Sequence, residues 1–300
     1  MVHDNSPIET IFKDFLAGFT AAVIAKTANA PFSRVVTLLQ TQDANPRVSS
    51  VNYTGGIPRY TGVFNALSRV TKEQGVLAHW RGLLPNIVVW VPMQAYNFTC
   101  KDFVKSMFPR YDMKKQFWQW FGCNMASGAL AGASSSAISY PFHFTSVRLQ
   151  ADVGVAGMGA GREFAGMVDV FRKYVGTSLY TGFWVKIPAI VTYRAAYFGF
   201  YDSAMGVFKP RNIVFKYFIA QGVVLSAGLA AYPFTLVQHR LIMQAGATEP
   251  IYAGAFDCVR KIVKTEGTRG LFKGAGANIF FQCSGAFLLI AYDKIKELMA

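Results

Sequence analysis

Three stretches, Ala30-Pro31-Phe32, Tyr140-Pro141-Phe142 and Tyr232-Pro233-Phe234, each place a proline inside a long, mostly apolar segment. A proline in a helix interior removes a backbone hydrogen bond and bends the helix. The prolines lie 110 and 92 residues apart. That spacing is too long for a solenoid unit and marks an internal repeat of about a hundred residues. Other landmarks return in phase. Tyr60-Thr61-Gly62, Phe164-Ala165-Gly166 and Tyr252-Ala253-Gly254 come first, and Trp80-Arg81-Gly82, Tyr180-Thr181-Gly182 and Phe272-Lys273-Gly274 follow. Three bends at matching depth would pinch a helix bundle shut at one end.

Each repeat reads as a long helix, a loop, a short amphipathic helix and a second long helix. The long helices are expected over 8–42, 83–108, 114–150, 183–208, 213–245 and 275–298, and the short ones over 61–74, 165–175 and 253–265. The repeats are expected at 1–110, 111–209 and 210–300, within one transmembrane domain. The long segments exceed the roughly 20 residues that span a bilayer. Lys26, Asn97, Lys101, Arg148, Arg194 and Arg240 lie within them. Ionisable residues at such depth face a bundle interior or a water-filled cavity. Small residues at helix-contact spacing, Gly128 with Gly132 and Ala227-Gly228, fit close helix packing. The fold class is therefore an all-α membrane protein: six transmembrane helices in three pseudo-symmetric repeats around a central cavity.

Composition agrees. Charged residues make up 15% of the chain, against about 25% in a soluble domain. The net charge of +14 is scattered among apolar segments. That distribution fits anionic lipid and gives no reason to expect nucleic acid. Cys100, Cys123, Cys258 and Cys283 form no CxxC pair, and no metal site is expected. The first fifteen residues resemble neither a secretory signal nor a transit peptide. The glycine-rich run 154–164 follows no strand and lacks a Lys-Ser/Thr, so it reads as a flexible connection. No nucleophile elbow is present, and an enzyme is not expected.

The proline stretches, together with FLAGFTAAVIAKTANAP (15–31), YTGVFNALSRVTKEQG (60–75), KKQFWQWFGCNMASGALAGA (114–133), RLQADVG (148–154), YRAAYFGFYD (193–202), YAGAFDCVRKIVKTEG (252–267) and GAFLLIAYD (285–293), resemble the mitochondrial carrier family, and within it the ADP/ATP carrier branch. The resemblance implies a multi-pass protein of the mitochondrial inner membrane. It implies short helices on the matrix side and alternating access to a central site. It also implies bound cardiolipin and no other cofactor.

The departures from the family pattern are specific. In the family, an acid two places after each proline pairs with a basic residue five places after the proline of a neighbouring repeat, closing a matrix gate. Here the acid positions are Ser33, His143 and Thr235, and the basic positions are Val36, Ser146 and Gln238. Losing both partners of each pair avoids stranding a charge, which would cost about 3–5 kcal/mol at a poorly solvated junction. The resemblance pairs Ser33 with Ser146, His143 with Gln238 and Thr235 with Val36. The Gln brace of the first repeat matches at Gln40.

The implied substrate site has Lys26, Asn97, Lys101, Ala189, Ile190, Tyr193, Arg194, His239 and Arg240 in the family's contact positions. Two contact arginines are replaced by Val89 and Phe281, and a third by His239. Arg194, Lys101 or Lys186 are the cations that would have to compensate. The opposite gate keeps Asp102 with Lys105 and Asp293 with Lys296, while Asp202 faces Met205. This balance predicts a bundle resting closed toward the intermembrane space. Cardiolipin is expected at Gly62, Arg81 and Gly82, at Gly166 and Gly182, and at Gly254, Lys273 and Gly274, where helix N-termini offer free N–H groups. The second set lacks the basic residue. Loss of the gate charges and of the contact arginines points to a transport-impaired carrier serving as an accessory subunit of a respiratory or ATP-synthesising complex. The alternative is a working carrier for adenine nucleotide or another small anion.

Overall fold

A computed structural model of the chain describes residues 7–45, 58–90, 115–154, 161–176, 178–208, 213–247 and 249–280, with isolated positions beside these stretches. The described elements run in the order α1 (Pro7–Thr41), α2 (Val63–Gln74), α3 (Leu83–Val88), α4 (Phe117–Ala151), α5 (Met167–Tyr174), α6 (Phe183–Phe208), α7 (Ile213–Met243), α8 (Ala255–Glu266) and a helical stretch α9 over 275–280. No strand occurs among the described residues. Helix α6 keeps the bounds expected from the sequence, and the other described starts and ends fall within three residues of expectation. The expected 83–108 and 275–298 helices are described chiefly over their first turns. Helix α6 packs along α7, α4 against α6, and α1 against α4 and α7. Among the described residues, one segment, Tyr217–Met243, meets the length and apolarity of a membrane crossing by itself. The other long described helices carry polar side chains on the cavity face, which dilutes the apolar signal of a whole window.

The kinks have local partners. Pro31 leaves the carbonyl of Thr27, four residues earlier, without its helix donor. The Trp80 indole Nε1 donates to that carbonyl at 2.9 Å. In the second repeat Pro141 frees Ala137, and the Tyr180 hydroxyl donates to it at 2.9 Å. The third repeat has Phe272 in the same place, which has no donor to offer. The aromatic that opens each Trp80-, Tyr180- or Phe272-type landmark thus sits against its own repeat's bend. Tyr140 stacks on Tyr180 at 5.8 Å, and Tyr232 on Phe272 at 6.3 Å. Ala30 holds the corresponding position in the first repeat.

The short helices dock by a rule repeated three times. The residue eleven places after each proline is Gln42, Asp152 or Gln244. Gln42 accepts from the N–H of Tyr60 at 2.8 Å, Asp152 from Phe164 at 3.3 Å, and Gln244 from Tyr252 at 2.8 Å. One turn into each short helix, Asn65, Asp169 or Asp257 reaches back to accept from the N–H of Thr61, Ala165 or Ala253. This satisfies a donor that the helix start leaves free. The hydrogen bond from Lys261, followed by that from Ala253, holds the Asp257 carboxyl below the usual carboxylate range.

Packing closes the ring. Val35, Leu38 and Leu39 of α1 bury Ala66 and Val70 of α2 and take in Val153 of the second repeat. Tyr140, Phe144 and Val147 pack on Val170 and Tyr174, and take in Ile242 and Ala245 of the third. Leu236 and Leu241 pack on Cys258 and Ile262, and take in Ala44 of the first. Each fully buried Val, Leu or Ile contributes about 1.5–3 kcal/mol. Burial pushes the Cys258 thiol up to about 12, so it behaves as a small core residue.

Three glycines demand their identity. Gly82, Gly182 and Gly274 have φ of +84°, +82° and +81°, a conformation that disfavours a side chain. A Cβ at Gly82 would stand 2.8 Å from the Ser146 carbonyl oxygen. One at Gly182 would meet the Tyr140 hydroxyl at 3.1 Å and the Gln238 carbonyl at 3.3 Å, and one at Gly274 the Tyr232 hydroxyl at 3.0 Å and Leu39 at 3.3 Å. Each repeat therefore presses its turn against the kinked helix of the next.

The Gly128 and Gly132 pair lies where α4 packs closely against α6, as expected. A Cβ there would strike the Arg194 guanidinium at 2.8 Å and Ile190 at 2.9 Å. The two glycines seat long side chains of α6.

Candidate functional site

A cavity of about 980 Å³ occupies the centre of the described bundle. Its walls come from α1 (Ser33, Val36, Thr37, Gln40), α4 (His143), α6 (Lys186, Ala189, Ile190, Tyr193, Arg194) and α7 (Thr235, Gln238, His239), with Asn278 and Gln282 beyond. No Asp or Glu is among the described lining residues. Of the expected ligand positions, Ala189, Ile190, Tyr193, Arg194 and His239 line it together. Lys26 is half-buried on α1, and Val89 lies at the end of α3; neither borders the cavity. Asn97, Lys101 and Phe281 lie outside the described residues.

Arg240 departs from expectation. It is 1% exposed and turned away from the cavity, into Glu266 at 2.5 and 2.9 Å and Asp43 at 3.3 Å. One residue of helix is about 100° of rotation, so His239 and Arg240 cannot share a face.

The gate positions meet as neutral contacts. Ser33 and Ser146 are both reached by the Gln150 amide, at 3.4 and 3.2 Å, while Thr37 donates to Gln150 Oε1 at 2.6 Å. Ser146 also donates to the Gly82 carbonyl at 2.8 Å and accepts from Asn86 at 2.9 Å. Gln238 donates to the Tyr140 hydroxyl at 3.3 Å, and His143 lies against His239 with ring centroids 5.6 Å apart. The expected partner of His143 was Gln238. The end expected to rest closed lies outside the described residues, while the described residues at the kinked end are tightly packed. Neutral side chains of matching reach hold the helices together there without desolvating a charge. Asp102, Lys105, Asp293 and Lys296 of the opposite gate, and the side chain of Asp202, lie outside the described residues.

Beyond this neutral layer, charge returns. Arg34, Arg148 and Arg240, one per repeat, are all deeply buried. Arg34 donates to the carbonyls of Gln150 at 3.2 Å and Asp152 at 3.1 Å, to Gln74 Oε1 at 2.7 Å, and to the Ala78 carbonyl. Arg148 donates to the Met243 carbonyl at 2.6 Å, to Glu163 at 3.2 Å, and to the Tyr174 hydroxyl. Lys273 joins the Arg240 group through Asp43 and through Glu266 at 3.5 Å. Arg81 pairs with Asp152 at 2.6 Å and donates to the Phe164 carbonyl. The two basic residues expected at lipid sites, Arg81 and Lys273, therefore both reach carboxylates of the chain itself.

Gly62, Gly166 and Gly254 begin the three short helices in extended conformation, each with open space around the position a side chain would take and no side-chain cap. Tyr60 is buried behind the first of them, and burial raises its hydroxyl above its ordinary value.

Several contacts escaped the sequence reading. Gln150 stands nine places after Pro141, as Gln40 does after Pro31, and that shared phase was the available signal. Asp43 and Glu163 carried no signal, because loop acids join a network only once the repeats close.

The family described as "Mitochondrial carrier protein" matches residues 8–112, 117–212 and 214–300. The chain is 48% identical to the ADP,ATP carrier protein of Parachlorella kessleri, over 96% of this chain and 85% of that one. It is 45% identical to ADP/ATP translocase 2 of Bos taurus, over 95% and 96%, and 43% identical to ADP/ATP translocase 3 of Homo sapiens, over 96% and 97%. The three repeats, the matrix helices and the central cavity are those of such proteins, and the chain belongs to the mitochondrial carrier family as an ADP/ATP-carrier-like multi-pass protein of the mitochondrial inner membrane.

Proposed function

We propose that this chain is a carrier scaffold impaired in nucleotide exchange, serving as an accessory membrane subunit of a larger inner-membrane complex, of the respiratory or ATP-synthesising kind. One observation carries this. At the positions where the family closes and opens a matrix gate with ion pairs, Ser33 and Ser146 are bridged by Gln150, Gln238 bonds Tyr140, and His143 lies against His239. An electrostatic lock stores and releases energy as its pairs break on one side and form on the other. A neutral network has no charge to exchange. The cavity supports the same reading. A nucleotide bearing three or four negative charges needs convergent cations, and the lining holds Lys186 and Arg194. If each missing arginine contact contributed about 1.5–3 kcal/mol, losing three would weaken binding by several powers of ten.

A second reading rests on the cavity itself. Among its described lining residues are Lys186 and Arg194 and no acid, which suits exchange of a smaller, less charged anion by alternating access.

Cardiolipin belongs to either reading. The open backbone at Gly62, Gly166 and Gly254, facing short-helix N-termini, supports headgroup binding through N–H groups, more than through Arg81 or Lys273.

The test is ADP and ATP uptake into cardiolipin-containing liposomes holding the purified protein, beside a Val89→Arg, His239→Arg, Phe281→Arg variant. No uptake by the folded, lipid-binding protein, and its co-purification with a respiratory or ATP-synthesising complex from native membranes, is the expected result. Nucleotide exchange at a carrier-like rate by the unaltered protein overturns the proposal.

A further inference from the structure

At the closed end of the cavity four side chains from three helices converge. Lys186 Nζ of α6 lies 5.8 Å from the centre of the Tyr140 ring of α4. That ring is 6.0 Å from His143, and His143 is 5.6 Å from His239 of α7. Lys186 has no acidic partner among the described residues, and none of the described residues lining the cavity is acidic. A half-sequestered ammonium without a counter-charge is costly, and the space in front of it is large enough for a small molecule.

The histidine pair is not a finished core contact. Tyr232 donates its hydroxyl proton to the Lys273 carbonyl at 2.7 Å. The Gln40 side chain, which also hydrogen-bonds Tyr232, must then donate through its amide. That turns Gln40 Oε1 toward His239 Nδ1, 2.5 Å away, so Nδ1 carries the ring proton. His239 Nε2 is left as an acceptor with no partner among the described residues, in a side chain 8% exposed. The ring is oriented behind His143, which is the partly exposed member of the pair. The floor thus offers the Lys186 ammonium and the partly exposed His143 imidazole, with no carboxylate among the described lining residues.

We propose that this floor is a binding site for a small carboxylate anion of one or two negative charges, its carboxylate held by Lys186 and His143, with the His239 ring packed behind His143. Charge sets the class. Among the described lining residues, one lysine at the floor and Arg194 higher in the cavity match one or two carboxylates, whereas a nucleotide would leave charge unpaired by them. The site is read by binding alone, so it stands or falls independently of whether the chain transports anything.

The test is thermal unfolding of the full-length protein in cardiolipin-containing nanodiscs with acetate, succinate, inorganic phosphate, ADP or zinc chloride. Succinate is expected to raise the unfolding temperature by mass action, acetate to do so more weakly, and phosphate and ADP less than succinate. Lys186→Gln is expected to weaken the succinate effect by about tenfold or more, and Lys186→Arg to retain most of it. His143→Gln supplies the same comparison should Lys186→Gln unfold. Absence of any carboxylate effect overturns the proposal, as does an effect unchanged in both variants. A larger response to ADP or phosphate would make it a phosphate site. A response to zinc alone, lost in His143→Gln, would make it a metal site.

Discussion

Two neighbouring layers at the kinked end of the bundle differ sharply. The layer facing the cavity, with Ser33, Val36, His143, Ser146, Thr235 and Gln238, holds no ion pair among the described residues. Arg148 and Arg240, two residues past Ser146 and Gln238, and Arg34, whose side chain leaves the gate level for Gln74, Gln150 and Asp152, are buried among carboxylates and carbonyls. The two layers do different work. The deeper arginines join each long helix to its short helix and to the next repeat, so removing them would unfold the end of the bundle. The cavity layer joins helices only to one another, and neutral groups of the right length suffice to hold that contact shut. Charge has been lost where it would serve switching and kept where it serves assembly.

Arg240→Ala tests the assembly layer most severely. It leaves Glu266 with Lys273, and Asp43 with Lys273 and the exposed Arg59, and is expected to destabilise the protein by about 3–5 kcal/mol. Thermal or denaturant unfolding in lipid nanodiscs measures it; a change below about 1 kcal/mol would erase the distinction between the layers.

Restoring charge to the cavity layer sharpens the comparison. Ser33→Glu alone is expected to destabilise. Adding Ser146→Arg should recover stability, with a coupling energy of about 0.5–3 kcal/mol in the double-mutant cycle. Additive effects would mean that the two positions no longer meet.

A smaller effect is expected at the kinks. Trp80→Phe removes the donor to the Thr27 carbonyl and should destabilise by about 1–3 kcal/mol, whereas Phe272→Tyr in the third repeat, where no such donor exists, should be neutral or stabilising. Unfolding curves of the two variants side by side decide this.

The smallest is a pH effect in the assembly layer. His79 is buried beside Arg34, and burial, then that guanidinium, lower its pKa from the ordinary value. Thr71 gives its proton to Leu67, so His79 Nε2–H donates to Thr71 and the ring is neutral. The unfolded chain binds a proton here that the folded one resists. Stability should therefore be complete above about pH 6.5 and fall as pH drops below it. His79→Gln should flatten that part of the stability–pH curve, and an unchanged slope would remove His79 as its source.

Much of this was legible in the residues. The three prolines, the phased landmarks and the sparse charge were enough for three helix pairs and a central cavity, because periodicity and repeat phase are local properties of a chain. The neutral character of the gate was legible too, since side-chain chemistry does not depend on the fold. Partner choice was not. His143 faces His239 instead of Gln238, Arg240 leaves the cavity for Glu266, and Gly128 with Gly132 seats Arg194. Each of these turns on rotations of a fraction of a helical turn, which side-chain packing sets.

By itself, then, the sequence determined the repeat, the bends, the membrane setting and the absence of gate charge. The tertiary structure alone decided which arginines are structural, that neutral groups close the kinked end, and that Lys186 and two histidines from three helices meet on one floor. The physical reason is distance along the chain: Lys186 and His143 are 43 residues apart, and His239 and Gln40 are 199. Groups so separated meet only after the apolar faces of three repeats have been buried against each other.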